Sequence, residues 1–278
     1  MGTIRQHGWR YALWLIAFSV PLIWWALPDS IASKLFIPAW IVVAQFIFAG
    51  LVEKAYLRRQ TWLGQYLKVN SPWHQRLRAG VLIIAWNQLV GFILAPLLLV
   101  SLRRLTGADW PILLLASGTF VLCHYWLNNQ LQGHVIDNYL PAVTRQLTVL
   151  PVAGLLTLVL ALVPLWRDQP YMINIPWETA IREHLPAISG QSMLAGFERI
   201  SASYKLSGFW LMQNASNNFG MSSKVTVLGW GVLLLVQGTL AWPYIRLLTG
   251  VATVQGFILT DSQHKRALSK SAEDRYKT

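Results

Sequence analysis

Six apolar runs divide this chain, and each approaches the roughly 20 residues that a helix needs to cross the hydrocarbon of a bilayer. They extend from about Tyr11 to Leu27, Leu35 to Leu51, Ala79 to Val100, Trp110 to Leu127, Leu147 to Trp166 and Val225 to Tyr244. Hydrocarbon offers no partner to backbone N–H and C=O groups, so each run must satisfy its own by forming a helix. Strands of a barrel would alternate apolar and polar residues in shorter segments. The expected fold class is all-α: a polytopic integral membrane helical bundle of about six transmembrane helices, with residues 1–250 forming a single transmembrane domain. Composition agrees. Hydrophobic residues make up 54% and charged residues 12%, about half the charge of a typical soluble domain.

The segments between these runs alternate in basic content. With the N-terminus placed in the cytoplasm, the inside segments hold 15 of the 23 Lys and Arg, and the outside segments hold 8. Five of those 8 lie in or beside one long loop, which counts for little in setting orientation. The expected location is the cell inner (cytoplasmic) membrane, with both termini cytoplasmic. Arg103 and Arg104 are out of place in a short outside turn, and Asp109 is close enough in sequence to offset them in part. The first run also carries features of a cleavable signal: Arg5 and Arg10 precede it and Ser30-Ile31-Ala32 follows. The second run begins so soon after Pro28 and Asp29 that a hairpin of two uncleaved spans is preferred. Trp9, Trp24, Trp25, Trp73, Trp110, Trp126, Trp166 and Trp242 fall at or near run ends, as in a headgroup belt.

Three pieces lie outside the runs. From Glu53 to Arg78, basic residues interleave with Tyr56, Leu57, Trp62, Leu63, Tyr66 and Leu67, which suits a helix lying in the membrane interface. Lys54, Arg58, Arg59, Trp62, Lys68, Trp73, Arg76 and Arg78 are the expected contacts to lipid headgroups, with anionic phospholipid as the partner. The net charge of +12 is thereby accounted for without nucleic acid, and no nucleic-acid partner is expected. The second piece is an extracytoplasmic loop from Arg167 to Ser223 containing short amphipathic helices. Asn174 is placed to cap one that runs from Trp177 to Leu185 and stops at Pro186. Ser189 opens another, with Met193, Phe197, Ile200 and Tyr204 forming an apolar stripe. Gln213 to Ser223 reads as a flexible turn, and Asn214-Ala215-Ser216 matches a glycosylation acceptor. The third piece, residues 251–278, is a cytoplasmic basic tail.

The interiors of the six runs contain no Asp, Glu, Lys or Arg. Charges there commonly mark ion paths, proton relays or substrate sites, so their absence argues against a pump or an ion-coupled transporter. The polar residues inside are Gln45, Asn87, Gln88, His124 and Gln237, suited to interhelical hydrogen bonds worth ~0.6 kcal/mol each. Ala116, Ser117 and Gly118, and Gly229, Gly231 and Gly238, are small enough to let helices approach closely. The nearest thing to a chemical site is at the end of the fourth run. His124, Asn128 and Gln132 share a helix face there, with His134 and Asp137 following. A His–carboxylate pair could bind a metal or move a proton, but zinc sites ordinarily take three protein ligands, so no metal is expected. No phosphate loop, dinucleotide fingerprint or nucleophile elbow is present, and the single Cys123 excludes an intrachain disulfide. No cofactor is expected.

An uncharged interior, a basic cytoplasmic face and one ordered outer loop point to a non-catalytic inner-membrane subunit or scaffold of a larger assembly for export, secretion or transfer. Its expected partners are other membrane protein subunits. The alternatives are a transporter or lipid-handling protein for a hydrophobic or zwitterionic substrate, and a membrane enzyme using His124, His134 and Asp137.

Overall fold

The computed structural model describes residues 18–66, 80–136, 139–163, 170–188, 190–218, 231 and 239–256. Regular structure among them is helical, apart from a single bridge between Gln132 and Val135. In chain order the helices are α1 (residues 18–26), α2 (Asp29–Tyr66), α3 (Val81–Arg103), α4 (Trp110–Leu131), α5 (Leu140–Leu162), α6 (Trp177–His184), α7 (Met193–Asn218) and α8 (residues 239–256). A 3₁₀ turn, Gly107–Asp109, leads into α4. Four helical segments are long and apolar enough to cross a membrane: Asp29–Arg59, Val81–Arg103, Gly107–Leu131 and Leu140–Leu162. They correspond to the second to fifth apolar runs. Most of the first and sixth runs, Gln237 included, lies outside the described residues.

Successive spans pack in antiparallel pairs, α2 with α3 and α4 with α5. Helix α8 fills the space between them. Leu240, Ala241, Tyr244, Ile245, Leu247, Leu248, Val251, Ala252 and Thr253 are all buried, so most of this helix lies in the core. The expected tail from residue 251 is thus corrected: its first six residues complete a buried helix.

Close approach in the core rests on glycines other than the expected ones. A Cβ on Gly250 would lie 2.5 Å from the Phe46 carbonyl carbon, and one on Gly50 would lie 3.1 Å from the Gly250 nitrogen. A Cβ on Gly91 would meet the Ala44 oxygen at 3.0 Å. Helix α2 therefore touches α8 and α3 almost backbone to backbone. Gly118 and Gly231 have nothing within 4 Å, and Gly229 and Gly238 lie outside the described residues.

Several indoles serve the backbone rather than a headgroup belt. Trp24 and Trp110 are 5% and 7% exposed. Trp24 donates to the Leu99 oxygen at 2.9 Å, Trp25 to the Leu105 oxygen at 2.9 Å and Trp40 to the Phe92 oxygen at 2.7 Å. The last bond has a clear cause. Pro96 stands four residues after Phe92 and has no N–H to return, so Trp40 supplies the missing donor.

The misplaced Arg103 is a clasp. It donates to the Trp24 and Leu27 oxygens, at 3.3 and 2.9 Å, and pairs with Asp29 and with Glu198, the latter at 3.2 Å. One side chain thereby ties α1, α2 and α7 to the end of α3. Asp109, expected to offset it, instead accepts from the Thr106 N–H and hydroxyl at 2.8 and 2.9 Å and closes the turn before α4.

The segment expected as an outer loop contains α6 and α7, with other caps and faces than the sequence suggested. Asn174 adopts a left-handed φ of 61°, and Pro176 occupies the cap position of α6. Helix α7 continues through Gln213 to Asn218. Gln213 and Asn214 grip the backbone of Pro170, Met172 and Asn174, and Asn214 is only 4% exposed. That burial removes Asn214 as a glycosylation acceptor. Of the expected stripe, only Phe197 packs inward, against Phe36 and Trp40. Met193, Ile200 and Tyr204 are exposed, and the buried face is formed by Leu194, Ala195, Ala202 and Phe209.

Candidate functional site

Helix α2 does not stop near Leu51 and restart as a separate interfacial helix. It runs unbroken for 38 residues. Beyond Gly50 the chain is rich in Leu, Glu, Lys, Ala, Arg and Gln, which favour helix, so the axis continues past the apolar run. This extension carries a basic, aromatic face alongside the start of α3.

Three helix faces meet there. Helix α2 contributes Leu51, Lys54, Ala55 and Arg58, at i, i+3, i+4 and i+7. Helix α3 contributes Ile83, Trp86, Asn87 and Val90 at the same spacing, and α8 contributes Trp242 and Arg246 one turn apart. With Arg59 they line a groove of about 790 Å³. Such a volume is typical of a small-molecule or lipid-head site.

Behind the groove wall lies a polar knot. Arg145 of α5 forks onto Glu53 of α2, with its Nε 3.2 Å from Oε2 and its Nη2 on Oε1. The Thr253 hydroxyl of α8 lies between two acceptors, the same Oε2 at 3.1 Å and the Thr249 oxygen at 2.9 Å. Gln146 donates to the Gly50 oxygen at 3.0 Å and accepts from Arg246 Nη1 at 3.2 Å. Thr144, Thr148 and Thr249 are fully buried, and each returns its hydroxyl to the carbonyl four residues back. The apolar runs were free of charge, but the helices extend beyond them and bury Arg145 and Arg246, which are 9% and 2% exposed.

The knot uses up the nearest carboxylate. Among the described residues Lys54, Arg58, Arg59 and Arg246 have no acidic partner. Arg246 lies over the Trp242 ring, 4.7 Å from its centroid. The Nε atoms of Arg59 and Arg246 are buried with no hydrogen-bond partner.

The other expected site residues are dispersed. Of the headgroup contacts, Lys54, Arg58 and Arg59 line the groove. The side chains of Trp62, Lys68, Trp73, Arg76 and Arg78 lie outside the described residues. Asn87 bonds within its own helix, to the Ile83 oxygen at 2.7 Å, rather than across helices. Gln45 is exposed and Gln88 half-buried. Interhelical polar contacts near these positions include Ser117 with the Tyr244 hydroxyl at 2.8 Å and the Glu53 knot. His124 stacks on Phe120 of its own helix, with centroids 6.5 Å apart. Gln132 and His134 are exposed, and Asp137 lies outside the described residues. No group of three or more His, Cys, Asp or Glu among the described residues could hold a metal ion.

At the far end of the bundle, burial pushes the Glu198 carboxyl above the usual range, while Arg103 beside it pulls the other way. Burial also lowers the Arg104 guanidinium. No known protein family, curated protein or solved structure matches the chain.

Proposed function

We propose that the protein handles an amphiphile within the membrane. The groove between α2, α3 and α8 takes a polar head among its cations and an apolar chain along Leu51, Ile83 and Val90. One observation carries the reading: four cations without an acidic partner among the described residues share one opening with two indoles and an apolar wall. The apolar runs themselves carry no charge, but the buried arginines just beyond their ends give the bundle a polar site that a bare scaffold does not need.

A subunit of an export, secretion or transfer assembly is the second reading. It is favoured by Met193, Ile200, Tyr204 and Leu211 of α7, which are exposed along one line of the helix at i, i+7, i+11 and i+18. In either case the bias of Lys and Arg supports an orientation with the basic end of α2 in the cytoplasm, in keeping with an inner-membrane location. Reporter fusions after Lys68 and after Gln213 should then report opposite sides, and agreement between them would exclude this orientation.

The amphiphile reading is tested by purification in mild detergent and native mass analysis. A lipid should be retained at a fixed ratio and lost when Val90→Trp fills the groove. A lipid-free chain arriving with a stoichiometric protein partner would replace this reading with the subunit role.

A further inference from the structure

The groove's chemistry also narrows the head it would take, an inference that rests on the amphiphile reading. Lys54, Arg58 and Arg59 reach it from α2, and Arg246 reaches it from α8. Among the described residues no acidic side chain lines it, and Glu53 behind the wall is held by Arg145. Arg246 is 2% exposed, and its Nε–H is buried without an acceptor although Nη1 reaches Gln146. Arg59 is in the same condition at Nε. Its guanidinium lies over Gly80, the left-handed residue (φ 57°) that caps α3, where an added Cβ would meet Nη1 at 2.7 Å. The positive end of the α3 dipole therefore adds to the charge of the groove. Buried donors without acceptors are costly, and neighbouring like charges repel, so an anion among them relieves both penalties.

A zwitterionic head fits poorly. Among the described residues its ammonium would face four cations and no carboxylate, and Arg246 already covers the Trp242 face. A phosphodiester brings one negative charge, whereas a phosphomonoester brings about 1.5 to 2 at neutral pH. We infer that the groove binds the phosphate head of a multiply anionic amphiphile, a lipid phosphomonoester or diphosphate. Arg246 is the innermost donor, and Trp86 and Trp242 flank the start of the apolar chain.

Full-length protein in neutral detergent is titrated with phosphatidic acid, phosphatidylglycerol and phosphatidylcholine of identical chains, and separately with inorganic pyrophosphate. Native mass spectrometry reads the bound fraction. Phosphatidic acid should bind at least tenfold more tightly than the other two lipids, and pyrophosphate far more weakly than phosphatidic acid. Arg246→Gln should remove that tenfold preference while leaving phosphatidylcholine unchanged. Arg58→Gln, at an exposed position, should weaken phosphatidic acid several-fold and flatten its salt dependence. Equal binding of the three lipids overturns the headgroup inference and leaves the amphiphile reading standing. Binding of none overturns both. Pyrophosphate as tight as phosphatidic acid makes the ligand a free phosphate and overturns the amphiphile. Unchanged phosphatidic acid binding in both variants overturns the assignment of these arginines.

Discussion

Replacing Gly250 with Ala tests how tightly α8 is locked to α2. The added Cβ would lie 2.5 Å from the Phe46 carbonyl carbon. Carbon atoms pack best at about 3.5–4.0 Å, so the two helices must part by roughly 1 Å or more at the crossing. Thr253 is less than one turn further along α8, and its hydroxyl is 3.1 Å from Glu53 Oε2. An opening of that size carries it beyond hydrogen-bond range. Overpacking costs about 1–3 kcal/mol, and because the Thr253 proton keeps the Thr249 oxygen as acceptor, losing its share to Glu53 adds no more than about 1 kcal/mol. The matched control is Gly118→Ala in α4, where nothing lies within 4 Å of the new Cβ. There the better helix propensity of Ala should give up to about 1 kcal/mol of stabilisation. Thermal unfolding in one mild detergent should rank Gly250→Ala well below the natural protein and Gly118→Ala at or above it. If the two variants unfold together, α2 and α8 do not meet through Gly250.

Trp40→Phe keeps the aromatic contacts to Phe36, Phe92 and Phe197 but leaves the Phe92 carbonyl without its donor, for a loss of about 1–3 kcal/mol. Adding Pro96→Ala restores a backbone N–H and should recover part of it, whereas strictly additive losses would refute the pairing. Glu198 gives a pH signature. Because burial raises its folded pKa, the folded chain holds that proton more tightly than the unfolded chain, and stability falls as pH rises from the ordinary Glu value through the raised one. The unfolding midpoint of Glu198→Gln minus that of the natural protein should therefore grow more positive over that interval. A difference that shrinks would mean that the Arg103 pair outweighs burial.

The four long spans were legible because apolar length alone determines them. Helix α8 was not, although it is the most enclosed. Arg246, Pro243, Gln255 and its threonines dilute its apolar character, and what buries them is a set of partners on α2, α4 and α5. The same limit hid the groove. Leu51, Lys54, Ala55 and Arg58 share a face by spacing, but a face looks the same from sequence whether it meets lipid, water or two other helices. Gly118 and Gly250 make the point most simply: each sits in a helix, and only the crossing distinguishes them. Arg103 was anomalous as an orientation signal because its hydrogen bonds, not its charge relative to the bilayer, account for its position.

The enclosed position of α8 has a consequence for biosynthesis. Chains enter a membrane from the N-terminus, so α2 to α5 are in place before α8 arrives. Until then Glu53 lacks the Thr253 hydroxyl, Ser117 lacks its Tyr244 partner, and the inner faces of both helix pairs stand open to lipid. The last of the described helices must enter sideways between completed neighbours with a buried arginine aboard. A ribosome stalled before residue 239 would thus leave a hollow intermediate, conspicuous to membrane proteases, and arrival of the final helix becomes the checkpoint for the whole bundle.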